Sequence, residues 1–191
     1  GKEIGERLAK DLGIAFYDKE LLKVAAKESG LCEEIFENFD EKPTNSFLYS
    51  LVMDPYAITY NNGSFELPLN HKVFLAAFDA IKKIANQGPC VIVGRCADYA
   101  LADDKDCISI FIKSSEESRI ERIMERDNVK REKAADIMRK KDKQRASYYN
   151  YYTTKKWGNA SSYDYLIDSS VLGVDKTIEL IKTMISLKES K

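Results

Sequence analysis

Cys90-Val91-Ile92-Val93-Gly94-Arg95 is a short apolar run that breaks at a glycine and presents an arginine. A continuous apolar run, with no alternation, reads as a strand buried on both faces, the type found in parallel sheets. Gly94 lets the backbone turn sharply. Arg95 then stands at the carboxyl end of the strand, the edge where open α/β sheets place their ligands. Its planar fork suits a phosphate or a base edge. An arginine in such a place also serves as an ordinary surface ion pair.

The flanking sequence has the matching pattern. Residues 71–87 read as a helix with Val73, Phe74, Ala77, Ile81 and Ile84 on one face, Asn70 as its cap and Gly88 as its stop. Residues 107–112 read as a second buried strand, followed by a helix over 115–126 with Ser114 and Glu117 as a capping box. Arg119, Arg122 and Arg126 give that helix a basic stripe. A long charged helix is expected over 130–152, then a polar loop containing Trp157, a strand over 165–167 ending at Asp168, and a last helix over 175–187. Toward the start, Ile4, Leu8 and Leu12 share one face of a helix stopped by Gly13. Residues 14–17 read as a strand ending at Asp18, and residues 19–29 as a helix with Leu21, Leu22, Ala25 and Ala26 inward. Between them lie expected short helices over 32–39 and 45–53, and a loop or small hairpin over 54–69 marked by Pro55, Asn62-Gly63 and Pro68.

Helices alternating with short apolar strands define an α/β fold with a parallel sheet flanked by helices. The first helix opens on Gly1-Lys2. That is an ordinary helix start with a basic residue, or the tail of a phosphate-binding loop, where helix N–H groups and a lysine hold polyphosphate. In the second case the strand before it is the central one of the sheet. The protein is then expected to extend upstream by roughly ten or more residues.

Composition narrows the function classes. A chain of 191 residues fits a single domain. Thirty Lys and Arg against 31 Asp and Glu leave a net charge of −1, so there is no global pull toward nucleic acid or an anionic membrane. No apolar run approaches the ~20 residues of a membrane span, and no signal peptide is visible. Cys32, Cys90, Cys96 and Cys107 form no C-x-x-C pair, and His71 is distant from all four, which argues against structural zinc. The cysteine pattern suits a reducing cytoplasm.

Lys2, Asp18 and Arg95 are expected to converge on one sheet edge. Asp142 and Arg145, three residues apart on one helix, form a surface pair worth under ~1 kcal/mol, or belong to a lid helix that brings arginines to a transferring phosphoryl group. Arg139 would serve the same end. Tyr148, Tyr149, Tyr151 and Tyr152 stack single-stranded bases, or pack the long helix onto the sheet while their hydroxyls stay wet.

Taken together, Gly1-Lys2-Glu3-Ile4-Gly5, Phe16-Tyr17-Asp18-Lys19-Glu20-Leu21, Val93-Gly94-Arg95-Cys96-Ala97, Arg122-Ile123-Met124-Glu125-Arg126, Lys141-Asp142-Lys143-Gln144-Arg145-Ala146, Tyr148-Tyr149-Asn150-Tyr151-Tyr152, Lys156-Trp157-Gly158 and Asp168-Ser169-Ser170 resemble the cytidylate kinase-like family of P-loop kinases. The resemblance implies one P-loop kinase domain over 1–191, a three-layer fold with an acceptor-binding insertion at about 31–69 and a helical lid at about 128–160, its N-terminal strand and most of the P-loop lying upstream. It implies a cytoplasmic enzyme that uses ATP and Mg²⁺ to phosphorylate a nucleoside monophosphate, CMP or dCMP first, with nucleotides rather than nucleic acid or membrane as partners. Lys2 matches the P-loop lysine, and Gly1, Lys2, Glu3 and Arg122 are assigned to the cofactor. Lys2, Arg139 and Arg145 are assigned to catalysis. Asp18, Arg95, Asp142 and Arg145 are assigned to the acceptor, with no metal ligand identified. Glu3 stands where a P-loop has its Mg²⁺-binding Ser or Thr. Cys96 replaces the acid that often follows Gly-Arg, and the tyrosine segment replaces an apolar Ala-Pro-Leu. Alternatives are a P-loop kinase of another small hydroxylated acceptor and a nucleotide-binding regulatory module with little catalysis.

Overall fold

A computed structural model describes residues 1–18, 20–30 and 69–190. Helix α1 (Lys2–Leu12) leads into strand β1 (Ala15–Tyr17) and helix α2 (Glu20–Ser29). Helix α3 (Leu69–Gln87), strand β2 (Cys90–Ile92) and the one-turn helix α4 (Ala97–Ala100) follow. Strand β3 (Ile110–Lys113), helices α5 (Glu116–Asp127) and α6 (Arg131–Tyr152), strand β4 (Tyr165–Asp168) and helix α7 (Ser169–Glu189) complete the order. The expected helices over 32–39 and 45–53, the hairpin and most of the insertion lie outside the described residues.

The strands are parallel, as the continuous apolar runs imply, but they form two pairs rather than one sheet. In the first, Ala15, Phe16 and Tyr17 of β1 register with Cys90, Val91 and Ile92 of β2. In the second, Ile110 to Lys113 of β3 register with Tyr165 to Asp168 of β4. Helix α1 bridges the pairs. Ile4 and Leu8 are buried with Ile167, Ile178 and Ile181, and Val91, Ile110 and Ile112 pack on the same cluster. Gly5 is needed for that approach. A Cβ there would lie 3.2 Å from Val93 Cγ2, 3.3 Å from Val91 Cγ1 and 3.4 Å from Phe16 Cε2. Gly13, at φ 67°, ends α1, and the N–H groups of Gly13 and Ile14 reach back to the carbonyls of Lys10 and Ala9. Leu12 does not join the buried face and stays 37% exposed.

On the other side of the first pair, Leu21, Ala25, Ala77, Ala80 and Ile81 form a core between α2 and α3. Fully burying a side chain such as Leu21 or Ile81 stabilises by about 1.5–3 kcal/mol. Helices α5 and α6 share a core of their own, built on Ile120, Ala134, Ala135 and Met138.

Four boundaries differ from expectation. Helix α3 starts at Leu69, so Asn70 lies inside it rather than capping it. Strand β3 begins at Ile110, three residues beyond Cys107; just before it, the Asp164 carboxylate accepts from the Ser109 N–H and hydroxyl, each at 2.8 Å, while the Ser109 carbonyl accepts from the Tyr165 N–H at 3.2 Å. Ser115, not Ser114, caps α5 by accepting from the Ser118 N–H, and Glu117 pairs with Arg131 instead. Helix α7 starts at Ser169, capped by Asp168, and breaks at Gly173 (φ 72°, ψ 174°) before the stretch expected to be helical. The strand over Cys90–Ile92 is only half-buried.

Candidate active site

The carboxyl ends of β1 and β2 bring Asp18 and Arg95 together. Arg95 Nη1 lies 3.4 Å from Asp18 Oδ1, with the two side chains only 6% and 11% exposed. Lys2, one residue into α1, reaches Asp18 Oδ2 at 2.9 Å from the solvent side. The three residues that the sequence places on one sheet edge are thus in contact.

The turn that delivers Arg95 is unusual. Gly94, Arg95 and Cys96 have φ of 75°, 54° and 58°, three left-handed residues in succession. A side chain in this region costs about 1–2 kcal/mol per residue relative to the right-handed region. Such a turn persists only where its surroundings over-determine it. Arg95 is held at one end by Asp18 and donates also to the Val93 carbonyl at 3.4 Å. Cys96 is buried against Tyr148 and Tyr149.

Three guanidiniums gather above the start of α1. Arg122, Arg145 and Arg119 bear electrostatically on the backbone nitrogen of Gly1, in that order of effect. These guanidiniums come from α5 and α6 and face a helix N-terminus that has no side-chain cap. The first turn of a helix already presents N–H groups and a partial positive charge to an anion. Each arginine has an acidic neighbour. Arg122 pairs with Glu3, whose other oxygen is 3.8 Å from Arg7. Arg119 Nη2 donates to Asp142 Oδ1 at 2.6 Å, while Arg145 is at 4.0 Å from the same oxygen.

Asp142 and Arg145 therefore meet, as their spacing implies, but the closer partner of Asp142 is Arg119. From sequence, Arg119 belongs only to the basic stripe, with no role of its own. The stripe was its only sequence signal, since Arg119 and Asp142 are 23 positions apart. Arg126, in the same stripe, turns to Asp127. Arg139 is exposed and takes part in no ion pair among the described residues.

The tyrosines pack α6 against the rest of the protein. Phe74 stacks on Tyr152 with centroids 4.1 Å apart. The expectation that the hydroxyls stay wet is overturned at Tyr149, which is buried and donates to Asp98 Oδ2 at 2.6 Å. Burial, then that bond, pushes its phenol well above the usual range.

An anion with several charges fits the start of α1. A protein-held metal fits less well. Asp18, Glu3 and Asp142 are each engaged by cations. No group of three or more His, Cys, Asp or Glu that could hold a metal ion occurs among the described residues. A shallow cavity of 240 Å³ lined by Lys82, Asn86 and Asp104, among others, shares no residue with this site. No helix among the described residues is long and apolar enough to cross a membrane.

Parallel strand pairs flanked by helices, with basic and acidic side chains gathered at the strands' carboxyl ends, define an α/β protein with a candidate anion site. Comparison with known proteins adds the family. A model of the cytidylate kinase-like family matches residues 1–171, and the chain belongs to that family. No curated protein matches it. The crystal structure of an uncharacterized protein from Eubacterium ventriosum ATCC 27560 is similar, with 27% identity, a TM-score of 0.69, and coverage of 97% of this chain and 91% of that one. Membership points to a kinase-type function.

Proposed function

We propose that the protein transfers the γ-phosphoryl group of ATP to a nucleoside monophosphate, with CMP or dCMP as the first candidates. The observation that carries this reading is the start of α1, where Lys2 opens the helix and Arg119, Arg122 and Arg145 gather from α5 and α6. Phosphoryl transfer needs mainly positioning and charge neutralisation, so a site of Lys and Arg with no nucleophile is chemically adequate.

In this reading Gly1, Lys2, Glu3 and Arg122 line the ATP phosphates. Arg145, with Arg139 if α6 moves inward, meets the transferring group. Asp18, Arg95 and Asp142 orient the acceptor. Mg²⁺ bound to the nucleotide's phosphates would supply further charge neutralisation there. The split between β2 and β3, bridged by a shared core, supports a P-loop kinase sheet whose central strand precedes Gly1. The segment over 31–69 would then be the acceptor insertion and 128–160 the lid of a single domain working in the cytoplasm. ADP release by the full-length protein, measured over a panel of nucleoside monophosphates, tests the reading. Stimulation by CMP or dCMP is expected, and no stimulation by any monophosphate counts against it.

The pairing of Glu3 with Arg122 favours a second reading, a nucleotide-binding module with little catalysis. It predicts ATP binding without turnover.

A further inference from the structure

Asp98 has no part in the site described above, yet it sits three residues beyond Arg95 at the far side of the strained turn. Its carboxylate, 14% exposed, accepts from Tyr149 at 2.6 Å and lies 3.5 Å from Lys155 Nζ. Lys155 in turn donates to the Ser162 carbonyl at 3.3 Å. Thr153 closes α6 by donating its hydroxyl to the Tyr149 carbonyl at 2.7 Å and accepting from the Lys155 N–H at 3.2 Å. The Tyr163 ring stacks beside Tyr149, with centroids 5.9 Å apart. The last turn of α6 is thereby fastened to α4, whose N-cap residue is Cys96, the last residue of the left-handed turn.

Tyr149 lies one helical turn from Arg145 on α6, on the same face. One bond therefore joins the element that carries Arg95 to the element that carries Arg145. Two consecutive side-chain-bearing residues in the left-handed region would relax if either end of the turn were released. The Asp18 pair holds the first end. The Asp98 carboxylate is the polar anchor at the second.

We propose that Asp98 and Tyr149 are positioning residues: their hydrogen bond, backed by Lys155, holds the Gly94–Cys96 turn in its left-handed form and sets Arg95 and Arg145 in register across the site. This inference rests on the phosphoryl-transfer reading for its functional consequence, but not for its structural one. The Tyr149 ring is buried in the aromatic cluster and the Asp98 carboxylate is 14% exposed, so water must enter the edge of that cluster to replace the phenol hydroxyl. Losing the hydroxyl therefore frees the turn rather than merely wetting it. A displacement of Arg95 by about 1 Å is enough to cost on the order of a hundredfold in rate.

The test uses Tyr149→Phe in the full-length protein, which keeps the ring and removes the hydroxyl. Phe74→Leu is the comparison, since it loosens the same aromatic cluster without touching Asp98. The primary readout is hydrogen exchange at the Arg95 guanidinium, followed by NMR of arginine-labelled protein, alongside the melting temperature. Tyr149→Phe is expected to speed Arg95 exchange by about tenfold or more, as a lost buried bond of roughly 1.4 kcal/mol would. Phe74→Leu should lower the melting temperature while leaving Arg95 exchange within about twofold. With ATP and CMP as the probes, Tyr149→Phe should lower kcat about tenfold or more with little change in the KM for ATP. Should Tyr149→Phe fail to fold, Asp98→Asn is read by the same exchange measurement, with faster exchange expected. Unchanged Arg95 exchange in a folded variant, or equal acceleration by Phe74→Leu, overturns the proposal. Absence of CMP turnover in the unmutated protein overturns the functional reading alone, because the exchange measurement stands without it.

Discussion

Arg95 meets Asp18 across the ends of two adjacent parallel strands, at 3.4 Å and almost out of contact with solvent. The same carboxylate takes Lys2 at 2.9 Å on its exposed side. One acid thus serves a buried cation and a solvated one, and the two should respond differently to mutation.

Removing the acid takes the Asp18 carboxylate away from the buried Arg95 guanidinium. Asp18→Ala is expected to destabilise by about 3 kcal/mol, the scale for breaking a buried pair. Lys2→Ala removes a side chain that is 59% exposed and should cost under about 1 kcal/mol. Urea unfolding of the two variants checks the contrast. Equal losses would mean that Arg95 does not depend on Asp18.

Glu3 should act with opposite signs on folding and on binding. An acid in the first turn favours the helix by about 0.3–1 kcal/mol, so Glu3→Gln should lower stability slightly. The same change releases Arg122 and removes a negative charge from the phosphate site. ATP binding, measured by calorimetry at low salt, should tighten by a few-fold. Weaker binding would make Glu3 a contributor to the site rather than a restraint on Arg122.

Gly5 tests whether the seat of α1 on the first strand pair matters. A Leu there must push against Val91, Val93 and Phe16 at once. Gly5→Leu is expected to cost about 1–3 kcal/mol by overpacking. It should also weaken ATP binding, because α1 carries Lys2 away from Asp18. Thermal melting and calorimetry separate the two effects.

Much of this was legible from local pattern, and the exceptions share a cause. The stop at Gly13, the strand before Gly94 and the long helix ending in tyrosines follow from spacing and backbone preference within a few residues. So does the gathering of Lys2, Asp18 and Arg95, because strand ends in a parallel sheet share an edge. The role of Arg119 was not legible, since its partner Asp142 belongs to another helix. Nor was that of Asp98, whose partner Tyr149 is 51 positions away. The start of β3 has the same origin, because the Ser109 N–H goes to Asp164, 55 positions away.

Asp164 also sets an acid limb. Its carboxyl is held below the ordinary value of 3.8, first by the Ser109 N–H, despite some desolvation, and then by the Ser109 hydroxyl. A depressed folded pKa adds stability that is fully present above the unfolded pKa and lost as pH falls through the folded one. The stability gap between the unmutated protein and Asp164→Asn should therefore be constant near neutral pH and close below about pH 4. Unfolding curves from pH 7 to pH 2.5 show it. A gap that persists at the lowest pH would assign the effect to lost hydrogen-bond geometry instead of charge.

In the proposed reaction the start of α1 binds the phosphates of ATP for transfer to a nucleoside monophosphate. Phosphorus NMR of the full-length protein with ATP, Mg²⁺ and CMP or dCMP follows that transfer directly. The account predicts that the γ-phosphorus signal is consumed as the β-phosphorus of CDP or dCDP appears, and that Lys2→Ala, still folded, slows this by about a hundredfold or more. Persistence of the ATP signals, or release of inorganic phosphate with no nucleoside diphosphate formed, would contradict it.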